Sequence, residues 1–198
     1  MKPLFVAVIS ALFAPVAALA VNAIHYKTLN GWDILMDQTL GNACYVTTAY
    51  EGGTILRLGF DFTGATGRFY LALGNTNWQS LEAGKDYPIE IKFDDQPVWT
   101  ATARGADFAN SKWLHVTTEN SNFADEFSRK LGMRVTFQGR QIAALRLKGS
   151  ARAIDEMLAC QKTVNSVVGA QRPQPPSPPK DPFAPAPGAK NANDPFDL

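Results

Sequence analysis

The chain has 198 residues, 45% hydrophobic and 19% charged, with 19 Lys plus Arg against 18 Asp plus Glu. So even a balance excludes general nucleic-acid binding, which draws its affinity from an excess of positive charge. The length suffices for one hydrophobic core and hardly for two.

Residues 1–20 open with Lys2, continue through an apolar run from Pro3 to Ala17 broken only by Ser10, and end in Ala18-Leu19-Ala20. A charged start, a short apolar run and a small-x-small site are the layout of a secretory signal peptide. An uncleaved anchor is the competing reading, since about 17 to 25 apolar residues can span a bilayer. Pro15 interrupts the run and small residues stand where a peptidase cuts, which favours cleavage before Val21. No second apolar stretch approaches spanning length and no Cys follows the run to take a lipid. A soluble periplasmic or secreted protein is expected, with no transmembrane segment after cleavage. Loss of Lys2 leaves 18 basic against 18 acidic residues.

From Val21 to Val168 the dominant pattern is period-two alternation between turn signals, which predicts half-buried antiparallel strands. Trp32 to Met36 is one. Ala43 to Glu51 and Thr54 to Phe62 form a hairpin, read as a tight two-residue turn at Gly52-Gly53. That register puts Leu56, Leu58, Phe60 and Phe62 on one face with Ala43, Tyr45, Thr47 and Ala49, and Cys44, Val46 and Ile55 on the other. Arg68 to Leu73, Tyr87 to Phe93, Val98 to Ala103 and Trp113 to Thr117 follow. Met133 to Leu147 reads as a hairpin around Gln138-Gly139, with Ile142 and Leu145 out of phase unless a bulge lies near Ala143-Ala144. No repeat of 20 to 50 residues is visible, which disfavours a solenoid or propeller.

Two helices interrupt the strands. Ser121 or Asn122 is the expected cap of a segment bearing Phe123, Phe127 and Leu131, stopped by Gly132. The second begins after Gly149 with Ser150 as its expected cap and runs to about Val164, with Ile154, Met157, Leu158, Cys160 and Val164 in one stripe. Cys44 and Cys160 are the only cysteines. In an exported chain they are expected to pair, tying the second helix to the first hairpin, with the bulk of the core on the far side of the sheet. A redox pair is disfavoured because the Cys-x-x-Cys spacing is missing.

Nine of the 13 prolines fall between Pro173 and Pro195. Such a segment cannot bury enough surface to offset the entropy of ordering, so residues 169–198 read as a disordered, semi-stiff tail. It contains Asp-Pro-Phe twice, and Phe183 and Phe196 are candidate docking points for a partner. The expected whole is a mainly β domain over residues 21–168 with two short helices. It is an antiparallel β-sandwich or open barrel stapled by one disulfide and followed by the disordered Pro-rich tail.

Catalytic signals are sparse. The two histidines, His25 and His115, stand alone, and no Cys/His cluster has transition-metal spacing. Neither a Gly-x-Ser-x-Gly elbow nor a phosphate-cradling glycine loop is present. No cofactor and no metal are expected. Asp61, Glu82, Asp86 and Glu119 keep a carboxylate-based carbohydrate-directed enzyme in play, because the geometry of such a pair follows no spacing rule.

Binding features are two. Between Ser128 and Ile154 no acid occurs, while Arg129, Lys130, Arg134, Arg140, Arg146, Lys148 and Arg152 all do. Arg134, Arg146 and Lys148 are the candidate contacts to an anionic ligand, against the reading of a solvated face balanced by Asp86, Glu90, Asp94 and Asp95. The polar loop from Gly74 to Ser80 carries Trp78, which either contacts a glycan or protein or folds back to cap the barrel. The preferred reading is a non-enzymatic exported binding or accessory protein of the cell envelope: an inhibitor, an assembly factor or an envelope-interacting module. Its partner would be an envelope or extracellular protein, with an anionic or glycan ligand as the second choice. A secreted factor acting on a host or neighbouring cell is the remaining class.

Overall fold

The computed structural model describes residues 23–109 and 111–170. The expected leader and the Pro-rich tail with Phe183 and Phe196 lie outside these residues. Ten strands form one antiparallel sheet: β1 (Ala23–Leu29), β2 (Trp32–Asp37), β3 (Ala43–Ala49), β4 (Thr54–Asp61), β5 (Arg68–Asn75), β6 (Asp86–Phe93), β7 (Trp99–Phe108), β8 (Ser111–Thr118), β9 (Gly132–Phe137) and β10 (Arg140–Arg146). Helix α1 (Ser121–Arg129) precedes β9 and α2 (Ser150–Ala170) follows β10. Strand β1 is an addition to the sequence reading. Its alternation is muted because the strand lies at the sheet edge, with Ile24 and Tyr26 exposed.

The spatial order is β1-β2-β3-β4-β5-β8-β7-β6-β9-β10. Neighbouring strands lie about 4.8 Å apart, so a flat sheet would hold β2 and β10 roughly 40 Å from each other. Instead the Trp32 Nε1–H donates to the Lys148 carbonyl just past β10, at 3.0 Å. The sheet is therefore rolled into an open barrel, and inward side chains from β2 to β10 share one core. The mainly β class and the disulfide follow the sequence expectation, and the open barrel is the form taken.

Two jumps in strand order decide what closes the barrel. From β5 to β6, and again from β8 to β9, the chain must pass three strand positions, about 14 Å. Because β5 and β8 are antiparallel neighbours, these crossings occur at opposite ends. At one end α1 inserts Phe123 and Phe127 into the core, each edge-on to Phe93. At the other the 76–85 loop carries Trp78 and Leu81 across the mouth.

Three sequence expectations need correction. The first is the β3–β4 register. Tyr50 N–H donates to the Thr54 carbonyl at 2.8 Å, so the connection is a three-residue loop, and Ala49 pairs with Ile55 and Val46 with Leu58. One residue of slip exchanges which side chains share a face. Cys44 and Val46 therefore share the inner face with Leu56 and Leu58, and α2 lies on the core side of the sheet rather than opposite it.

The second concerns α1: Asn120, not Ser121 or Asn122, caps it by accepting from the Asn122 amide at 3.0 Å. Leu131 lies beyond the helix and is 70% exposed. The third is α2, which has 21 residues rather than being short, and passes Val164 to reach Ala170. Its buried stripe is Ala153, Ile154, Met157 and Cys160, while Leu158 faces out.

The Cys44–Cys160 disulfide joins this stripe to β3 across 116 positions of sequence. Beside it the Cys44 amide donates to Gln161 Oε1 at 2.8 Å, which satisfies a strand donor that α2 would otherwise bury unpaired. A Lys27–Glu156 ion pair at 2.7 Å holds the outer strand to the same helix.

Candidate functional site

The 76–85 loop is anchored at both ends. The buried Asn75 side chain donates to Thr54 Oγ1 at 2.9 Å and accepts from the Asn77 amide at 2.8 Å. Downstream, the Tyr87 hydroxyl accepts from the Glu82 amide at 2.8 Å, and Gly84 and Gly105 bridge the loop to β7. Gly105 is required here, because a Cβ on it would stand 2.2 Å from the Glu82 carbonyl oxygen.

Between this loop and the strand ends lies a recess of about 300 Å³. Its walls are chiefly apolar: Trp78 and Leu81 from the loop, Tyr87 from β6, Leu114 from β8, Phe137 from β9 and Ile142 from β10, with Asn77, Gln79 and Ser80 at the rim. Tyr87 and Phe137 meet edge to face at 5.5 Å. Ile142 is there because of a bulge: Gln141 pairs with Thr136 and Ala143 with Val135, leaving Ile142 unpaired between them. A bulge re-aims one side chain, here to the mouth. The out-of-phase Ile142 in the sequence was its signal. Trp78 is half-buried and packs on the core, so it folds back and lines the recess at once.

The basic candidates sit elsewhere. In β6, β9 and β10 the inward side chains are Ile91, Val135 and Leu145, so Lys92, Arg134 and Arg146 project outward. Lys92 stands directly opposite Arg134, and Arg146 opposite Gly132. Arg146 and Lys148 also line a recess of about 580 Å³ between the β1–β2 turn, the end of β3 and the start of α2. Burial pushes the pKa of Tyr50, which lines it, up to about 12, so its hydroxyl stays protonated and donates to the Arg146 carbonyl at 2.8 Å.

Each of the four candidate carboxylates is engaged by a residue near it. Asp61 accepts from the Thr63 hydroxyl and amide and pairs with Arg68 at 2.9 Å; burial opposes its ionisation, but these contacts outweigh burial and hold its pKa below the ordinary value. Glu82 pairs with Lys85, Asp86 with Arg104, and Glu119 accepts from Thr66. None of the four lines either recess. Among the described residues no three His, Cys, Asp or Glu side chains gather as metal ligands, and no helix is long and apolar enough to cross a membrane.

One cluster escaped the sequence reading altogether. On the outer face Tyr45, Tyr70 and Trp113 are only 2%, 3% and 6% exposed, although among the described residues neither α1 nor α2 packs on them. The Arg57 guanidinium lies over the rings of Tyr45 and Trp113 at 5.1 Å and Phe108 at 5.3 Å. His115 stacks on Tyr70 at 5.2 Å. The signal was Gly59 and Gly74, whose cross-strand partners include Tyr45 and Trp113, but it is legible only in the right register.

No protein-family model matches this sequence, and no curated protein sequence does. Among solved structures, the crystal structure of invasion associated protein B from Bartonella henselae is similar in fold, with 13% sequence identity and a TM-score of 0.51. The match covers 69% of this chain and 97% of that one, so the two share a fold over nearly the whole of the Bartonella chain.

Proposed function

We propose that this is an exported, non-enzymatic binding or accessory protein of the cell envelope, acting in the periplasm or outside the cell, which seats an apolar group of its partner in the barrel-mouth recess. The observation that carries the reading is that recess: six large apolar side chains from five separate segments converge on about 300 Å³, with polar groups confined to the rim. Barrel mouths with apolar walls and a few polar rim groups are common ligand sites. The Cys44–Cys160 disulfide supports an oxidising compartment. The neighbour described as invasion associated protein B adds weight to an envelope or secreted role and carries no enzyme name. Asp61, Glu82 and Asp86 are each paired with a basic residue and none of the four carboxylates lines either recess, which gives no support to the carbohydrate-directed alternative.

The test uses N-phenyl-1-naphthylamine, a neutral apolar dye that the basic residues do not attract. Its fluorescence should rise on mixing with the disulfide-intact protein, and Trp78→Ala and Ile142→Ala should each weaken that rise while the protein still melts cooperatively. No rise with the unmodified chain would sink the reading. So would a Trp78→Ala variant that melts lower yet binds the dye unchanged, since Trp78 would then only cap the barrel.

A further inference from the structure

The recess beside Arg146 and Lys148 is built from segments far apart in sequence, and hydrogen bonds fix each wall. Thr48 Oγ1 donates to the Gly31 carbonyl at 2.7 Å, joining the end of β3 to the β1–β2 turn. Tyr50 holds the Arg146 carbonyl, and Trp32 holds the Lys148 carbonyl. Leu147, between these two, is buried in the core at 1% exposure. Arg146 at the end of β10 and Lys148 in the turn that follows are both exposed, and both line the recess.

The charge there is unbalanced. The remaining lining residues are neutral: Asn30, Gly31, Trp32, Thr48, Tyr50 and Gly149. Among the described residues no carboxylate lies within 4.0 Å of Arg146, Lys148, Arg134 or Lys92. Of the acids expected to offset them, Asp86 pairs with Arg104 and Asp95 is exposed in the turn after β6, while Glu90 and Asp94 stand near the outer-face cations: Glu90 accepts from Thr136 on the same face as Arg134, and Asp94 lines a neighbouring recess with Arg134 and Arg146. Like charges facing each other across strands, as Lys92 and Arg134 do, repel. In a protein with nearly equal numbers of acids and bases, the recess that Arg146 and Lys148 line contains no acid.

We propose that this recess binds a phosphate group, with Arg146 and Lys148 as its two cations and Tyr50 and Thr48 on its neutral wall. Two cations match a dianion, and about 580 Å³ leaves room for the glycerol or sugar that carries it. The assignment does not depend on the mouth recess, whose probe is uncharged.

The test is an amide NMR titration of the disulfide-intact chain with inorganic phosphate, against chloride at the same ionic strength. A parallel arm measures co-sedimentation with vesicles of phosphatidylcholine alone or mixed with phosphatidic acid, whose phosphate is a monoester. Phosphate is expected to shift the amides of residues 48–50 and 146–149 selectively. Reversing both charges, Arg146→Glu with Lys148→Glu, should weaken binding by about tenfold or more, as losing two exposed charge contacts implies. A control with the same charge change at exposed sites outside the recess, Arg140→Glu with Lys162→Glu, should stay within about twofold.

Binding to phosphate without the mixed vesicles assigns a soluble phosphate ester; binding to both, or to the mixed vesicles alone, assigns a lipid headgroup. Either supports the site if the double reversal, and not the control, removes it. Binding to neither overturns the proposal, and so does equal weakening in the control, which would mean diffuse charge rather than a site.

Discussion

The inner and outer faces of β3, β4, β5 and β8 are both well buried, by different means. Inside, Val46, Leu56, Leu58, Leu71, Leu73, Leu114 and Val116 belong to one core with side chains of both helices, in ordinary close packing of aliphatic groups. Outside, among the described residues, neither α1 nor α2 packs on the sheet, and burial comes from aromatic side chains set against glycines, with Leu40 packed beside them. A Cβ at Gly59 would stand 2.4 Å from the Tyr45 Cβ, and one at Gly74 the same distance from Trp113 Cε2. The missing side chain at Gly74 makes the hollow that holds the Trp113 ring, that at Gly59 lets β3 approach closely at Tyr45, and Arg57 covers the cluster by spanning three π faces. A sheet can bury both faces with a helix on only one, provided glycines and aromatics are opposed across the strands.

The contrast can be broken first where inner face and helix are joined. Replacing Cys44 and Cys160 with Ser releases a loop of more than a hundred residues and should cost about 4 to 5 kcal/mol in the chain-entropy picture, measured by denaturant unfolding of oxidised and double-mutant protein. Leu58→Ala on the inner face should cost about 3 kcal/mol, because a fully buried Leu leaves a cavity. Gly74→Ala on the outer face adds a single methyl, yet should cost about 2 kcal/mol by lifting Trp113 off the sheet, with a changed near-ultraviolet circular dichroism signal that Leu58→Ala lacks.

Arg57→Met separates the charge of the guanidinium from its area. Since Arg57 Nε is buried without a partner, the substitution should cost about 1 kcal/mol or less in thermal unfolding; a loss as large as that of Leu58→Ala would mean the outer cluster depends on the cation itself.

The smallest effect is a pH dependence confined to the outer face. Burial, followed by the nearby Arg68, holds the His115 pKa below its ordinary 6.5, against the opposing pull of Asp61. The unfolded chain then binds the proton more readily, so stability should fall as pH drops below about 6.5 toward the folded-state value, and His115→Gln should flatten that slope. Asp61, whose folded pKa is also depressed, adds a separate loss at lower pH, below its ordinary 3.8. An unchanged slope near pH 6 in the Gln variant would remove His115 from the account.

Alternation and turn chemistry made most strands legible, and the two hairpins mark the limit of that reading. At β9–β10 the out-of-phase Ile142 announced a bulge, found one residue before its expected place. At β3–β4 all four residues from Ala43 to Val46 are buried, so neither face could be recognised as inner, and Gly52-Gly53 tolerates more than one loop. Trp78 was legible as a candidate because a large aromatic in a polar loop is conspicuous. Its partners were not, since Leu114, Phe137 and Ile142 reach the mouth only through the strand order.

The sequence by itself determined the β class, the cysteine pairing, the segregation of cations between Ser128 and Ile154, and the periodic faces of β5 and β6. These are properties of neighbours along the chain, set by side-chain period and composition. Only the tertiary structure decided the β3–β4 register, the roll that brings Trp32 to Lys148, the jumps in strand order that cover each mouth, and the meeting of Tyr50 with Arg146. Each of these depends on contacts between residues tens of positions apart or on a slip of one residue, and local propensity is nearly indifferent to either.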